Sequence, residues 1–421
     1  MNYVLVGNSA AGLFAAESIR RNDPRAEITV LTADAYPPYS RCLTTYYLAG
    51  DIPEYRLFLR TPEALEALHL TVHYACSVTG LNPNERVILT ASGKRYPYDK
   101  CLIATGASAV TSEIPGSTLP EVFTLRNLED AKQIKALLAT GRRAVIIGGG
   151  LVSLKSAYAL LKQGLKVHVI VSSAQILSQM LNHEAASILE EHLVQHGLDI
   201  ILNSDVTAIE GKEHVESVQL RNGQKLPADL IIIGKGVRPN TVPFATSGLE
   251  IRRGILVNER LKTNLPDVYA AGDVAEAWDC LRQTHRLNAI WPNATQQGRI
   301  AGANMSGQSL TCPGSMGMNA VDFFGLRVVS VGIINPSDVR GLSTWHTEDI
   351  ILKGHSGQPT YQRLVWHGET LKGFVLVGNT ERAGILTALI QANRPLSQAV
   401  QKSIRDGKRE DILLGLRSNL S

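Results

Sequence analysis

The chain has 421 residues, of which 44% are hydrophobic and 19% are charged, and its formal net charge is +4. This length exceeds one ordinary domain core, so two or three domains are expected. The small net charge, with Lys and Arg scattered among Asp and Glu, argues against a nucleic-acid partner. No stretch approaches the roughly 18 consecutive apolar residues of a membrane helix. The composition predicts a globular, cytoplasmic protein without a membrane partner.

The cysteines are odd in number and irregularly spaced, with no CxxC pair for a metal or a dithiol. This pattern fits a reducing compartment. Cys76 and Cys101 flank apolar strands and are predicted to lie in the core, whereas Cys280 and Cys312 fall in polar connections. The start, MNYVLVGNSAAG, lacks a basic leader and is expected to be mature protein rather than a signal peptide.

The histidines give no indication of a metal site. His183, His192 and His196 lie on a charged stretch with helical periodicity, and their spacing does not match a metal site. An iron-sulfur cluster would need four organised thiolates, so any such cluster is expected in a partner protein. The sequence therefore predicts a surface helix here and no bound metal.

The chain opens with the pattern strand, glycine turn, helix and strand. Asn2 to Val6 is apolar, GNSAAG turns, LFAAESIRR has helical periodicity, and EITVL returns to a strand. In a dinucleotide-binding unit the glycines permit the turn, the approach of the pyrophosphate and the packing of helix on strand. Ser9 takes the middle glycine position here. Phosphate would lie at the helix start, at Ala10, where amides and the helix dipole favour negative charge.

A carboxylate that accepts hydrogen bonds from ribose hydroxyls is expected about 20 residues after such a turn. Asp34 follows Gly12 at close to that spacing, and Thr32 lies nearer to the strand end. The sequence leaves both residues open.

A second copy of the pattern begins at Arg143, with RAVIIGGGLVSLKSAYALLKQGLKVHVIV. Two copies in one chain indicate two dinucleotides bound to two successive domains. Ser153 replaces the third glycine, and the strand ends in IVSS without an acid for a ribose diol, so Ser172 or Ser173 would bond the ribose. Because no arginine follows to hold a 2′-phosphate, NADH is favoured, and NADPH stays open.

Three further motifs accompany the glycine turns. KCLIATGAS (100–108) is an apolar strand closed by ATG, GKGVRPN (234–240) follows, and NLPDVYAAGDVAEAWD (264–279) contains a strand that ends in AAGD. The order and spacing of all five motifs resemble the FAD-dependent pyridine nucleotide-disulfide oxidoreductase family over about residues 1–310. The resemblance therefore implies FAD and NAD(P)H as cofactors.

The same resemblance implies the fold class, which is α/β with two Rossmann-like dinucleotide-binding domains, for FAD and NAD(P)H, plus a C-terminal α+β interface domain. In that family the NAD(P)H domain is inserted into the FAD domain, and the C-terminal domain forms part of a dimer interface. The expected boundaries are 1–110 and 240–310 for FAD, 111–239 for NAD(P)H and 311–421 for the interface domain. A homodimer is one expectation.

The resemblance also assigns cofactor contacts. Asp273 would bind the ribityl chain of FAD, with helix capping as the simpler alternative. The stretch WPNATQQGRIAGANMSG would start a helix whose amides stabilise negative charge on the reduced flavin ring, although Trp291 and Pro292 also suit an ordinary helix entry. The implied FAD contacts are Gly7, Ser9, Ala10, Ala11, Gly12, Asp34, Arg41, Cys42, Val78, Ala104, Thr105, Gly106, Gly272, Asp273, Asn293 and Ala294. The implied NAD(P)H contacts are Gly148, Gly150, Leu151, Val152, Ser172 and Gly236.

Within the family, YPPYSRCLTTYYLAG (36–50) is most similar to the rubredoxin and ferredoxin reductases and the flavin part of assimilatory nitrite reductase. Those proteins usually carry YSRP or YNRP, so Arg41 matches a flavin-contacting arginine, and Cys42 stands where proline is usual. A lysine often found a few residues later is missing, and Tyr46 is near its place.

The second helix departs from its relatives as well. Where they commonly have GLE, this chain has Ser153, Leu154 and Lys155, so an ammonium replaces a carboxylate expected near the nicotinamide and flavin. Lys155 would stabilise reduced flavin or pair with a partner's carboxylate. The alternative is a solvated lysine on a helix face.

Cys42 has two interpretations. Without a CxxxxC or CxxC pair, the dithiol mechanism of glutathione or thioredoxin reductases is excluded. A single cysteine near this position is the redox centre of coenzyme A-disulfide reductases and NADH peroxidases, and Cys42 would act likewise if Arg41 lowers its pKa over the flavin. Its neighbours follow the electron-carrier subfamily, which favours an inert thiol.

From about Thr311 the pattern changes to the strands LRVVSVGII, YQRLVWHG and TLKGFVLVG, followed by a helix from Glu381 to Gln391. This resembles the family's C-terminal domain. The final RDGKREDILLGLRSNLS is charged and predicts a helical tail that docks a partner or extends a dimer surface.

The sequence thus predicts an enzyme that takes a hydride from NAD(P)H onto FAD and passes single electrons to an iron-sulfur or rubredoxin-like carrier, or runs in reverse. One alternative is a coenzyme A-disulfide, persulfide or peroxide reductase that uses Cys42. The other is a flavoprotein subunit of a larger redox complex.

Overall fold

The computed structural model describes residues 1–111, 113–338, 344–353 and 359–407, without the side chains of 338, 352, 353 and 359. Internal contacts divide these residues into two units. The first unit holds Met1–Gly148, Val152–Val167 and Val206–Ser315, and the second holds Gly149–Leu151, His168–Asp205 and the described residues from Met316 onward. The expected domain boundaries near residues 110, 240 and 310 stay predictions.

The helices of the described residues are α1 Ala10–Asn22, α2 Thr44–Leu48, α3 Pro62–Glu66, α4 Leu128–Leu137, α5 Leu151–Lys162, α6 His183–Gln195, α7 Trp291–Met305, α8 Ala383–Ala392 and α9 Gln398–Arg405. The strands up to the second glycine turn are β1 Asn2–Val6, β2 Glu27–Leu31, β3 Leu70–His73, β4 Val78–Asn82, β5 Val87–Thr90, β6 Arg95–Pro97, β7 Lys100–Ile103, β8 Ala107–Ala109, β9 Val122–Phe123 and β10 Arg143–Ile147. The next are β11 Lys166–Ile170, β12 Asp199–Ile201, β13 Val206–Glu210, β14 Ser217–Leu220, β15 Lys225–Pro227, β16 Leu230–Ile233, β17 Val237–Pro239 and β18 Ile255–Leu256. The last are β19 Val268–Ala270, β20 Ala275–Asp279, β21 Thr284–Arg286, β22 Met318–Phe323, β23 Leu326–Gly332, β24 Trp345–Lys353, β25 Pro359–His367 and β26 Thr370–Val377.

A five-stranded parallel sheet forms the centre of the first unit, in the order β19-β7-β1-β2-β3. Its strands are short apolar runs, such as YVLV in β1 and CLI in β7, because helices and connections bury them on both faces. The chain leaves β1 toward β2 and later returns on the other side with β7. This reversal of strand order leaves a crevice at the carboxyl ends of β1 and β7, where α/β folds bind ligands.

Helices α1 and α7 pack on each other through glycines. A Cβ atom on Gly298 would lie 2.3 Å from the carbonyl oxygen of Ala11, and one on Gly302 would lie 2.4 Å from that of Ala15. The contact moves from Ala11 to Ala15 along α1 as it moves from Gly298 to Gly302 along α7, so the two helices run in the same direction. Both helices therefore begin at the same edge of the sheet.

The remaining strands of the first unit form smaller sheets. Strands β10, β16 and β9 pair in parallel, and three antiparallel or mixed groups are built from β4-β5-β6, β13-β14-β15 and β18-β20-β21. In the second unit β11 pairs in parallel with β12. Both predicted strand, turn, helix and strand units are confirmed, and so is the α/β class.

The second unit contains a five-stranded antiparallel sheet in the order β22-β23-β26-β25-β24, with α8 packed on β23 and β26. Its core includes Phe323, Trp366 and Phe374, all fully buried. The three strands and the helix predicted beyond Thr311 are confirmed. Most of the predicted charged tail, residues 408–421, lies outside the described residues.

Helix α6 was predicted to be a surface helix, but it packs on the C-terminal sheet. The Nε2 atom of His192 lies 3.0 Å from the carbonyl oxygen of Phe323, and the His196 ring stacks on Phe324 at 4.6 Å between centroids. These two histidines therefore serve packing. No group of three metal-ligating side chains occurs in the described part of the chain. No helix of that part is both long and apolar enough to cross a membrane.

Candidate functional site

The first glycine turn fits the end of β1 closely against β7. Gly7 has a φ of +114°, and a Cβ atom there would lie 2.2 Å from the carbonyl oxygen of Ala104. A Cβ atom on Gly12 would lie 1.9 Å from the carbonyl oxygen of Gly7. Any side chain at these positions would collide with backbone, so strand, turn and helix meet only because both residues are glycine.

Two helix starts meet at this edge. The N-cap of α1 is Ser9, whose side chain makes no capping hydrogen bond, and the N-cap of α7 is the apolar Ile290. The first-turn amides of both helices are thus left uncapped by side chains, and such amides together with the helix dipole attract anions.

Gly272 joins the two starts. A Cβ atom there would lie 3.1 Å from the Cβ of Ala11 and 3.7 Å from that of Ala294, and its amide donates to Oε1 of Gln297 at 2.8 Å. Asn293, the residue before Ala294, is buried and donates to the carbonyl oxygen of Asn288 at 3.1 Å. The structure therefore brings the predicted residues of α1, the AAGD motif and α7 together.

Asp34, rather than Thr32, presents an available acceptor beyond β2. Thr32 is buried, with 4% of the residue exposed, and its hydroxyl donates to Oδ1 of Asn8 at 3.1 Å. Asp34 accepts from the Tyr39 hydroxyl at 2.8 Å and from Nη2 of Arg41 at 3.1 Å. A carboxylate has about four acceptor positions, so these bonds leave room for a sugar hydroxyl.

Asp273 pairs with Arg126, a residue that the sequence did not single out. Nη2 of Arg126 lies 2.7 Å from Oδ2 of Asp273, and its Nε donates to the carbonyl oxygen of Ala107 at 2.8 Å. Nη1 of Arg41 donates to the carbonyl oxygen of Arg126 at 3.0 Å. The two arginines thus link the two predicted sugar-binding carboxylates. Arg126 carries no motif of its own, because its partner is 147 residues away in sequence.

Cys42 lies close to this network, but its expected activation is not found. Although part of the Cys42 side chain is exposed to solvent, the protein atoms packed around its thiol raise the pKa, the charge of Asp273 raises it further, and Arg126 only partly opposes them. Arg41, which was expected to lower this pKa, instead holds Asp34 and the backbone of Arg126. The structure therefore favours the neutral thiol over the thiolate at Cys42.

Each tyrosine in the segment 36–50 has a cation over its ring. The distances from cation to ring centroid are 4.6 Å for Lys132 and Tyr36, 5.2 Å for Arg41 and Tyr39, 4.4 Å for Lys155 and Tyr46, and 4.0 Å for Lys135 and Tyr47. Such contacts contribute roughly 0.5–2 kcal/mol each, more when they are desolvated. They fix the segment that carries Arg41 and Cys42.

Lys155 is buried, with 7% of its surface exposed, so the interpretation as a solvated lysine is wrong. Besides Tyr46, its ammonium lies 5.1 Å from the ring centroid of Tyr158, one helical turn away on α5.

The second glycine turn compensates for its missing third glycine. The Ser153 hydroxyl donates to the carbonyl oxygen of Gly234 at 3.2 Å, and a Cβ atom on Gly234 would lie 2.1 Å from that hydroxyl oxygen. A Cβ atom on Gly148 would lie 2.4 Å from the carbonyl oxygen of Gly234, so this position also requires glycine. Gly234 in GKGVRPN thus provides the space that a serine needs. No atom lies within 4 Å of a Cβ built on Gly150, so that turn is open to a ligand.

The helix after this turn begins at Leu151, and the side chain of Val152 is largely exposed. Beyond β11, Ser172 is exposed, whereas the Ser173 hydroxyl donates to the carbonyl oxygen of Gln175 at 2.8 Å. Of the two serines that the sequence left open for the ribose, Ser172 therefore has the available hydroxyl.

The ATG and GKGVRPN motifs hold each other in place. Strands β8 and β17 pair antiparallel, and Thr105 and Asn240 exchange two hydrogen bonds of 3.0 and 2.9 Å. Gly106 and Gly236 flank this pairing, and a Cβ on either would meet no atom within 4 Å. Val78, the remaining predicted contact, begins β4 and is half-buried.

The fold and site define a two-dinucleotide oxidoreductase. A family model described as pyridine nucleotide-disulphide oxidoreductase matches residues 1–298. The chain belongs to this family, whose members bind FAD and NAD(P)H, and it is an NAD(P)H-dependent flavin oxidoreductase.

Three relatives illustrate the range of the family. The epsilon subunit of NADH-dependent phenylglyoxylate dehydrogenase from Aromatoleum evansii is 34% identical over 332 residues, which are 78% of this chain and 79% of that protein. Rubredoxin-NAD(+) reductase from Pseudomonas putida is 30% identical over 74% of this chain and 82% of its own length. Nitrite reductase [NAD(P)H] from Bacillus subtilis is 28% identical over 95% of this chain, which spans about half of that protein, or 48%.

Two solved structures are similar over nearly the whole chain. An NAD-dependent persulfide reductase from A. fulgidus has a TM-score of 0.88 and 27% identity, over 95% of this chain and 78% of that one. The reductase in a covalent putidaredoxin reductase-putidaredoxin complex has a TM-score of 0.88 and 25% identity, over 98% of both chains.

The residues present fit both cofactors. The crevice at β1 and β7 combines a side-chain-free turn, two uncapped helix starts and two carboxylates, which together suit a pyrophosphate, sugar hydroxyls and a ring that takes up negative charge. The open Gly150 turn suits a second pyrophosphate.

Proposed function

We propose that the protein carries electrons between NAD(P)H and an iron-sulfur or rubredoxin-like carrier protein, without using Cys42. The observation that carries this proposal is the state of the thiol. None of the five cysteines forms a disulfide. Although Cys42 is exposed, the protein atoms around its thiol and the charge of Asp273 raise its pKa, and Arg126 opposes them only in part. We therefore propose that, among the residues that the structure describes, the flavin site works without a second, thiol-based redox centre.

Each proposed contact has a separate task. The α1 start and the Gly7 turn bind the FAD pyrophosphate, Asp34 accepts from its ribose, and Asp273 accepts from the ribityl chain. The α7 start at Asn293 and Ala294 faces the ring, and Gly150 with Leu151 holds the NAD(P)H pyrophosphate. When bound, FAD accepts a hydride from the nicotinamide and releases electrons one at a time.

A second candidate function is supported by one relative. The Aromatoleum protein, 34% identical, is named as a subunit of a dehydrogenase. We propose as the alternative that this chain is likewise the flavoprotein subunit of a larger redox complex, in which a neighbouring subunit carries the electron acceptor. Turnover that appears only when a partner copurifies would favour this alternative.

The proposal is tested by an anaerobic titration of the purified FAD-loaded protein with NADH, followed by addition of a ferredoxin or a rubredoxin. We expect two electrons per flavin, no long-wavelength thiolate-flavin band, and rapid reduction of the carrier. A protein that binds no FAD, or that takes up two further electrons, would contradict the proposal.

Cys42→Ser distinguishes the carrier reaction from persulfide or disulfide reduction. Because the Cys42 thiol is held neutral, we expect NADH-dependent reduction of the carrier to change less than about twofold. The matched control is Cys280→Ser, at a half-buried cysteine that forms no disulfide and lies elsewhere in the first unit. The measurement is steady-state carrier reduction beside coenzyme A-persulfide reduction. A loss of carrier turnover above tenfold in Cys42→Ser alone would show that the thiol is required.

Ser172→Asp is expected to make the enzyme select NADH. The exposed hydroxyl of Ser172 neither attracts nor repels a 2′-phosphate, whereas a carboxylate would accept from the NADH ribose and repel NADPH. We expect the ratio of kcat/KM for NADPH to that for NADH to fall about tenfold or more. Ser172→Ala, which adds no charge, should leave the ratio nearly unchanged. Equal ratios in both variants would place the ribose elsewhere.

A further inference from the structure

The buried Lys155 lies against the half-buried ring of Tyr46, in the segment that carries Arg41 and Cys42. The Lys155 ammonium lies 4.4 Å from the Tyr46 ring centroid and 5.1 Å from that of Tyr158. Lysine is among the residues least often buried, because its ammonium loses hydration, and aromatic faces return only part of that loss. The burial of Lys155 in spite of this loss indicates an electrostatic task for its charge.

The position of Tyr46 relates this pair to the flavin crevice. The helical turn Arg41–Leu43 runs directly into α2, and Tyr46 follows Cys42 by four residues, so the two side chains share one helical face. The Cys42 thiol senses the charges of Asp273 and Arg126. Cys42, and with it the face that Tyr46 extends, therefore lies beside the carboxylate proposed for the ribityl chain. Tyr46, one helical turn after Cys42, carries the Lys155 ammonium next to this part of the crevice.

We infer that Lys155 supplies a fixed positive charge at the flavin ring, and that Tyr46 is the positioning residue that holds it. This inference rests on the proposed function and adds one residue to it. Negative charge that the ring takes up is stabilised by a preorganised cation in a site with little water. The same charge favours any anionic state of the ring over the neutral one. Lys155 thus adds to the contribution of the uncapped α7 start.

Sulfite is a suitable probe, because it requires no turnover. Its sulfur donates an electron pair to form a bond with the oxidised ring, which takes up the negative charge and bleaches the visible band. In the FAD-loaded protein, Lys155→Met is expected to weaken sulfite binding about tenfold, since the methionine keeps the shape and removes the charge. Lys155→Arg, which keeps the charge, should stay within about threefold of the original protein.

The midpoint potential is the second readout. The same tenfold change corresponds to a lowering of about 30 mV for a two-electron couple, measured with a reference dye. Lys162→Met is the matched control, because Lys162 lies on the same helix but pairs with Asp51 at the surface. If Lys155→Met does not fold, Tyr46→Leu should shift both readouts in the same direction by releasing the ammonium.

The outcomes separate this inference from the proposed function. A protein without FAD, or one that NADH fails to reduce, overturns the proposed function. A protein that binds FAD and is reduced by NADH, but shows equal sulfite affinity and potential for Lys155→Met, Lys155→Arg and Lys162→Met, overturns only the role of Lys155. Weaker sulfite binding and a lower midpoint potential in Lys155→Met alone, with unchanged FAD affinity, support the role of Lys155.

Discussion

Asp273→Asn is expected to weaken FAD binding by about tenfold to a hundredfold. The substitution keeps the size of the side chain but removes the charge that strengthens its hydrogen bonds, and such bonds contribute roughly 1.5–3 kcal/mol. It also leaves Arg126, which is only partly exposed, without its carboxylate partner. The measurement is titration of the FAD-free protein with FAD, followed by quenching of flavin fluorescence.

Asp267→Asn is the matched control for this prediction. Asp267 lies just before β19, whereas Asp273 lies just after this strand. Like Asp273, Asp267 pairs with an arginine, Arg86, at 2.8 Å. That pair is exposed at the opposite end of the strand, where an ion pair contributes less than about 1 kcal/mol. We expect FAD affinity within about twofold of the original protein. Equal losses in the two variants would remove Asp273 from the FAD site.

The same variant tests the local electrostatics. The Asp273 carboxylate raises the pKa of the Cys42 thiol, so its removal should lower that pKa in the FAD-free protein. The fraction of thiolate at neutral pH then rises, and alkylation of Cys42 by iodoacetamide becomes faster. The pH dependence of the alkylation rate measures this shift. An unchanged profile would mean that the two side chains do not interact.

Gly298→Ala is expected to destabilise the first unit by about 3 kcal/mol, near the upper end of the usual cost of overpacking. The added methyl group would lie 2.3 Å from the carbonyl oxygen of Ala11, and backbone cannot move aside as a flexible side chain does. Helix α7 must shift away from α1, which also displaces the helix start at Asn293. Urea unfolding, followed by tryptophan fluorescence, measures the loss, and FAD affinity should fall with it.

Gly384→Ala is the control for a glycine in a helix. Gly384 lies in α8, and a Cβ atom there would meet no other atom within 4 Å. Alanine is a better helix former by up to about 1 kcal/mol, so this substitution should be neutral or stabilising. If Gly298→Ala proved as harmless as Gly384→Ala, the close packing of α1 and α7 would be disproved.

The sequence predicted the elements whose signals are local. The two glycine turns, the strands on either side and the C-terminal strands follow from hydrophobic period and turn residues, which depend only on near neighbours. The order of five motifs also identified the family and both cofactors. Even the departure at Ser153 was visible in the sequence. Its compensation by Gly234 was not, because the two residues are 81 positions apart.

The residues that the sequence misjudged interact over long sequence separations. Arg126 had no motif, and Arg41, which was expected to lower the pKa of Cys42 if that thiol were catalytic, pairs with Asp34 instead. The sequence left open whether Lys155 is near the flavin or solvated, because a helical period alone does not say which face of α5 meets α2. Helix α6 was predicted to be exposed because its sequence is rich in charged residues. One of its faces nevertheless packs on the C-terminal sheet.

The sequence by itself determined the class of this protein, through two dinucleotide-binding turns and a single cysteine, rather than a dithiol, in the segment 36–50. The tertiary structure alone decided the charge around that cysteine. A thiol's pKa depends on burial and on charges within a few ångströms, and here these come from Asp273 and Arg126, both far from Cys42 in sequence. Residue type and spacing predict which groups are available, and only packing brings them close enough to interact.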